Sequence, residues 1–354
     1  MPSKLPFNAL PHVTDPLLIE LARSLVLKNP NLNILQPEYA GQYPPLAQLL
    51  EQQFQKYHAS GKLFLPNLQI WENKSIAIFS DYSGESAGNY YTYSFLVCAM
   101  DALGLFQQEM KKVRQIFSLG DKELAFKDFR MGKMCNALPS YLNLLDQYVP
   151  GFLFTLVVDK QLSTVFGTPD KATGTTIVQI LEKEGIGKRK RQDAEKLLRI
   201  VHTMAFLLGL LGYTGQKIFW MTDHDNICAN QSLHDQSLHL LQRVIGIYSK
   251  ANFSLLGGAR PFDEKNTDFL DLLSAADLTA GTLEHYLTHR DCMGAENATV
   301  RPGADKVLYW LGHDGLSLKK LSVVMRPGQD GSINAGTMEF TPKVYPADAA
   351  FVSI

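Results

Sequence analysis

Apolar residues along the chain follow two rhythms, short unbroken runs and longer stretches in which they recur every third or fourth position. The first rhythm marks strands buried in a sheet and the second marks helices with one apolar side. The most informative run is SIAIFSDYSGE, in which residues 76–80 predict a strand that runs into Asp81 and is stopped by a Ser83-Gly84 turn. The aromatic and β-branched stretch 89–100 predicts the antiparallel return strand of a hairpin. Beyond it, 101–118 has helical spacing. The segment 122–129 (KELAFKDF) predicts a third strand with Lys127 and Asp128 on opposite faces, and 138–148 predicts a helix in spite of Pro139. Residues 152–159, FLFTLVVD, are apolar almost without a break up to Asp159, as in a central strand covered on both faces.

A polar connection over 167–187 then leads to the basic cluster Lys188, Arg189, Lys190 and Arg191 and a long helix ending near Leu211. KIFWMT, 217–222, is the next predicted strand and runs into Asp223-His224-Asp225. A helix over 232–248, a short strand over 252–256, and a helix over 268–289 carrying Asp277 follow. The tail predicts two strands, 306–311 and 320–325. Before the first strand, Asp15-Pro16 predicts a helix through Leu27, and Pro44-Pro45 opens another over 46–58.

Three early strands in a meander followed by alternating strands and helices predict an α/β protein with a mixed sheet and helices on both faces. That order fits a ribonuclease H-like fold better than a Rossmann fold, and no GxGxxG or GxxxxGK[ST] loop is present. The expected division is a helical arm over 1–70, a ribonuclease H-like domain over 71–298, and a C-terminal β extension over 299–354 packed on the same domain.

Composition narrows the partners. Lys+Arg 34 against Asp+Glu 35 leaves a net charge of -1, so affinity for nucleic acid has to come from local patches. The four cysteines show no CxxC or finger spacing, which suits free thiols in a reducing cytosol. MPSKLPFNALPHV has no signal-peptide core, and the most apolar stretch, 204–211, is far shorter than the roughly 20 residues a membrane span needs, so a cytoplasmic protein with no membrane partner is expected.

Chemistry gathers on acidic strand ends. Asp81, Asp159 and Asp223 each close a predicted strand, and Asp277 lies on the late helix. A lone Asp after a strand is commonly a turn former or a helix cap. Carboxylates brought together from one sheet edge and a packed helix repel one another, and a cation offsets that cost. Oxygen ligands select Mg²⁺ or Mn²⁺, completed by water and a substrate phosphate. Two such ions about 3.5–4 Å apart activate water and stabilise the leaving oxygen in phosphodiester hydrolysis.

The same residues carry a resemblance. Asp81, Ser83 and Gly84 in FSDYSGE, Asp159 and Lys160 in LVVDK, Asp223 in FWMTDHD, and Ala276, Asp277 and Leu278 in LLSAADLTAG together resemble the bacterial family labelled domain of unknown function 3800. The similarity runs over about residues 75 to 290. It implies a ribonuclease H-like fold, an acidic metal site at these positions and a bacterial origin. Tyr82 stands where that family usually has Glu, with Glu85 nearby, and FKDF offers Lys127 and Asp128 where the family often has a His-containing segment.

Other patterns carry less. Asp223-x-Asp225 occurs in metal-dependent glycosyltransferases, but the nucleotide-binding βαβ unit is missing. His285 and His289, four apart on a helix, have the spacing to share a metal, and the helical period puts Asp277, Gly281 and His285 on one face. Gly281 is expected to let that helix approach the sheet. Glu284-His285 is the wrong order for HExxH.

The expectation is therefore a divalent-metal-dependent nuclease acting on RNA or DNA. Asp81, Asp223 and Asp277 would be its main ligands and Asp159 a further one. Lys160 or Lys127 would stabilise transition-state charge, and Lys188 to Arg191 would contact phosphates. The alternative is a non-catalytic ribonuclease H-like module that binds nucleic acid or a protein partner.

Overall fold

The run at 76–80 becomes an interior strand of a seven-stranded mixed sheet. A computed structural model describes residues 27–36, 39, 43–86, 88–167, 171–223, 225–260, 266–294, 298 and 300–340. In chain order the elements start with helix α1 (Pro45–Ala59), strand β1 (Ser75–Ser83) and strand β2 (Tyr90–Ala99). Helices α2 (Gly104–Ile116) and α3 (Gly132–Tyr148) come next, then β3 (Gly151–Asp159), α4 (Lys171–Lys183) and α5 (Arg191–Leu211). The chain continues through β4 (Lys217–Thr222), α6 (Gln231–Tyr248), β5 (Leu255–Ala259) and α7 (Thr267–Met293). It closes with α8 (Ala304–Leu311), β6 (Leu318–Pro327) and β7 (Ile333–Met338).

The strand order is β5-β4-β1-β2-β3-β6-β7. β1 and β3 both run antiparallel to β2, β4 lies parallel to β1, β5 parallel to β4, β6 parallel to β3, and β7 antiparallel to β6. Strand alternation divides the core in two. Ile76, Ile78, Phe95, Phe152 and Phe154 pack with Phe54 of α1 and with Met204 and Phe206 of α5. Ala77, Phe79, Leu96, Leu153 and Val157 pack on the other side with Tyr141 of α3 and with Leu272 and Leu278 of α7. The segment expected as an arm is, over its described part, packed into the first of these cores through Leu46, Leu50, Phe54 and Leu65.

Several expected elements are corrected. The third strand of the meander is β3, because 122–129 folds as a loop with a 3₁₀ turn at Phe126–Asp128. Its backbone N–H groups find side chains of α7 instead of a neighbouring strand: Leu124 N donates to Ser274 Oγ at 3.2 Å and Phe126 N to Asp277 Oδ2 at 2.5 Å. The expected strand at 306–311 is helix α8, since Val307, Trp310 and Leu311 are spaced to bury one helical side. The connection at 167–187 contains α4, whose Ile177 and Leu181, four apart, are both buried. The short strand expected at 252–256 lies at Leu255–Ala259, and β7 was not expected. Of the helix expected to start at Asp15, only Leu27 is among the described residues, and there it pairs with Pro66 in a two-residue strand.

Candidate functional site

Asp81 follows Ala77 and Phe79 on the α7 face of β1. Two residues later the chain must reverse, and Gly84 makes this possible. It has φ +97, and a Cβ there would stand 1.9 Å from the Tyr90 carbonyl oxygen. Across the sheet, the parallel register sets Thr222 beside Ser80, so the next residue, Asp223, comes down next to Asp81, and its N–H donates to Ser80 O at 3.2 Å. Asp277 arrives from above on α7, which lies against β2 closely enough for Thr92 Oγ1 to donate to Ala280 O at 2.9 Å.

The Asp81 and Asp277 carboxyls hydrogen-bond each other. Two carboxyls can do so only when one keeps its proton. Burial, and then the charges of Asp277 and Asp223, hold the Asp81 carboxyl well above its ordinary range, against one favourable bond from Tyr82 N at 2.7 Å. Burial also raises Asp277, but the hydrogen bond with Asp81 and the Phe126 N–H stabilise its ionised form. The two buried carboxyls thus share a proton between them. Glu123, in the loop before the 3₁₀ turn, is pushed up to about 7, first by burial and then by Asp277 and Asp223, while Lys127 pulls the other way. Lys127 is exposed and also favours ionised Asp277.

The structure therefore puts Asp81 and Asp277 in contact and sets Asp223 within electrostatic range of them, together with Glu123, which sequence reasoning missed. Nothing local distinguishes Glu123, since its role depends on a loop held by Ser274 and Asp277 more than 100 residues later. Among the described residues, no group of three or more His, Cys, Asp or Glu is drawn together closely enough to hold a metal ion.

Asp159 is not brought to the pair. The register runs from Asp81 to Ser94 to Thr155, which leaves Asp159 four residues, roughly 13 Å, further along its strand. There its Oδ1 accepts from Gln161 N at 2.9 Å, a turn-forming bond. Lys160 lies over the Tyr91 ring, 5.0 Å from its centroid, and lines a cavity on the opposite face of the sheet. The basic run divides as well. Lys188, Lys190 and Arg191 are exposed, and Arg191 borders that same cavity. Arg189 is buried, with its guanidinium donating to Ile227 O at 3.3 Å and Leu233 O at 3.4 Å, so it ties the start of α5 to α6.

Asp225 does not act with Asp223, because its carboxylate pairs with Lys196 and accepts from Ile227 N at 3.0 Å; His224 lies outside the described residues. His285 and His289 stack at 4.3 Å, and His285 meets the Phe126 ring edge-on at 6.0 Å, while the Phe126 N–H is given to Asp277. Burial, then the charges of His289 and Arg301, hold the His285 ring below its ordinary value. A Cβ on Gly281 would come within 2.5 Å of Phe126 Cδ1, so the close approach this glycine permits is to the Phe126 loop.

Among the described residues no helix is long and apolar enough to cross a membrane. No protein-family model matches the chain, and neither does any curated protein, so the resemblance drawn above rests on its four short motifs.

Proposed function

We propose that this protein is a ribonuclease H-like phosphodiesterase that cleaves RNA or DNA at the acidic pair with the help of Mg²⁺ or Mn²⁺. The fold part of this reading is supported by the strand order: a three-strand antiparallel meander is followed on its first strand by two parallel strands reached through helices. The observation that carries the functional part is the contact between the Asp81 and Asp277 carboxyls, with the charges of Asp223 and Glu123 acting on them.

The donor set consists of carboxylate oxygens, which suits a hard divalent cation. Asp81 and Asp277 would hold it, with the charges of Asp223 and Glu123 beside them. Such an ion would supply Lewis acidity toward a phosphoryl oxygen and lower the pKa of a bound water. The chain's own residues position this chemistry. Phe126 N–H fixes the Asp277 carboxylate, the β1–β4 register fixes Asp223, and Lys127 is the cation nearest in effect to the group. A cation held here would have to displace the proton that Asp81 and Asp277 share, so binding is expected to release protons and to weaken as pH falls.

The test is thermal unfolding of wild type and Asp81→Asn with and without millimolar Mn²⁺. A metal-dependent rise in Tm that the variant loses supports the reading and should be matched by loss of Mn²⁺-dependent cleavage. No rise in either protein would refute the cation site and favour a non-catalytic module, the reading to which the closed Asp81–Asp277 bond lends itself.

A further inference from the structure

Across the sheet from the acidic pair lies a cavity of about 530 Å³, walled by the hairpin end of β1 and β2, the residues after β3 and the first turns of α5. That volume is within the range of sites that enclose small molecules. Tyr82, Tyr91 and Tyr93 form its aromatic wall. They face this way because Asp81 and Thr92, their neighbours in sequence, face α7. Lys196 and Arg199, three apart on α5, share the side of the helix that meets them.

The cations and rings are already matched. Lys196 Nζ stands 5.0 Å from the Tyr82 centroid, and Lys160 Nζ and Arg199 Cζ stand 5.0 and 5.5 Å from that of Tyr91. Arg199 is only 3% exposed. It donates to Tyr93 Oη at 3.3 Å and Glu195 at 3.1 Å, and its Nε has no hydrogen-bond partner among the described residues. Lys196 is buried between Asp225, itself largely covered, and Glu85, whose side chain is 46% exposed on the hairpin turn. An unanswered buried guanidinium N–H is costly. An ammonium held in part by a surface carboxylate can exchange that partner for another anion.

We propose that this cavity binds a nucleoside phosphate, with the base against the Tyr91 ring and the phosphate displacing Glu85 from Lys196 within reach of Arg199. Aromatic and guanidinium planes are the surfaces on which bases stack, and Lys and Arg are the phosphate binders. Glu195 does not compete, because its carboxylate is committed to Thr164 Oγ1 and Val165 N, each at 3.1 Å, as well as to Arg199. The site is on the opposite face from Asp81 and needs no divalent cation, so it stands or falls apart from the phosphodiesterase reading.

Calorimetric titration in EDTA tests it, with AMP, adenosine and ribose 5-phosphate as probes and with wild type, Asp81→Asn, Glu85→Gln and Tyr91→Leu as proteins. AMP should bind wild type and Asp81→Asn alike. Glu85→Gln should tighten AMP about three- to fivefold, the worth of one half-exposed ion pair. Tyr91→Leu should weaken it about fivefold or more, the worth of a base stack. Adenosine and ribose 5-phosphate should each bind at least about tenfold more weakly than AMP. A 5′-phosphorylated trinucleotide that binds as well as AMP identifies the ligand as a strand end, and one that fails identifies it as a free nucleotide. Absence of AMP binding to both wild type and Glu85→Gln overturns the proposal. So does an affinity indifferent to Glu85→Gln, or ribose 5-phosphate binding as tightly as AMP.

Discussion

Replacing Glu123 by Gln should make the protein more stable at alkaline pH and leave it nearly unchanged in acid. The Glu123 carboxyl is raised from 4.5 to about 7 by burial and by the charges of Asp277 and Asp223. Between those two values the native state keeps a proton that the unfolded chain has lost, so this group's contribution to stability falls as pH rises through that window. At roughly 1.4 kcal/mol per pH unit, ionising Glu123 in place costs roughly 3 kcal/mol. The group is only partly covered. Solvent screening reduces the figure to about 2 kcal/mol. In a chain of this size about 2 kcal/mol corresponds to a few degrees in Tm. Unfolding followed at intervals from pH 5 to pH 8.5 should therefore show Glu123→Gln above wild type by about 2–4 °C at the alkaline end, with the gap closing below pH 7. Millimolar Mn²⁺ at pH 8 should narrow the gap, because a cation offsets the same repulsion. A gap that stays constant across the range, or wild type the more stable at pH 8, would refute the electrostatic account of the acidic group.

Two further substitutions test how the site is held. Gly281→Ala puts a methyl 2.5 Å from Phe126 Cδ1, so the loop must shift; it should cost about 1–3 kcal/mol by denaturant unfolding and also weaken the Mn²⁺ response, because Phe126 N–H would leave Asp277. Arg114→Ala removes the guanidinium that grips Asp271 of α7 through Nε at 2.8 Å and through Nη2. With Asp271 left buried and unpaired, unfolding should become easier by about 3–5 kcal/mol at pH 8. The loss should be smaller at pH 5, since even paired Asp271 is pushed up to about 6 by burial and can then take a proton.

Local pattern alone placed the strand before Asp81, its hairpin return, the buried strand ending at Asp159, KIFWMT, and the helix that carries Asp277. Each of these elements is an apolar run or a helical repeat long enough to declare its period, and period depends on residues close in sequence. The same rule explains α8, which the sequence misread: eight residues with Val307, Trp310 and Leu311 fit a short strand or a short helix, and the burial of one helical side chose between them. Segment 122–129 alternates like a strand, yet its N–H groups are taken by Ser274 and Asp277, and no local signal reports a partner that distant.

For the site, the sequence determined that acidic residues would sit at or near strand ends; that β1 runs on through Asp81 to Ser83, so that Asp81 and Tyr82 face opposite ways, was shown by the ladder with β2. Which strand ends meet was decided by tertiary structure. Strand order and register join Asp81 to Asp223, carry Asp159 four residues away, and turn Lys160 toward a different cavity; the loop that α7 captures delivers Glu123. The physical reason is one of range. Side-chain direction is set by the residue's own backbone and its immediate neighbours, whereas the company a carboxylate keeps is set by pairings between segments far apart in the chain, and those are selected by the burial of the whole sheet.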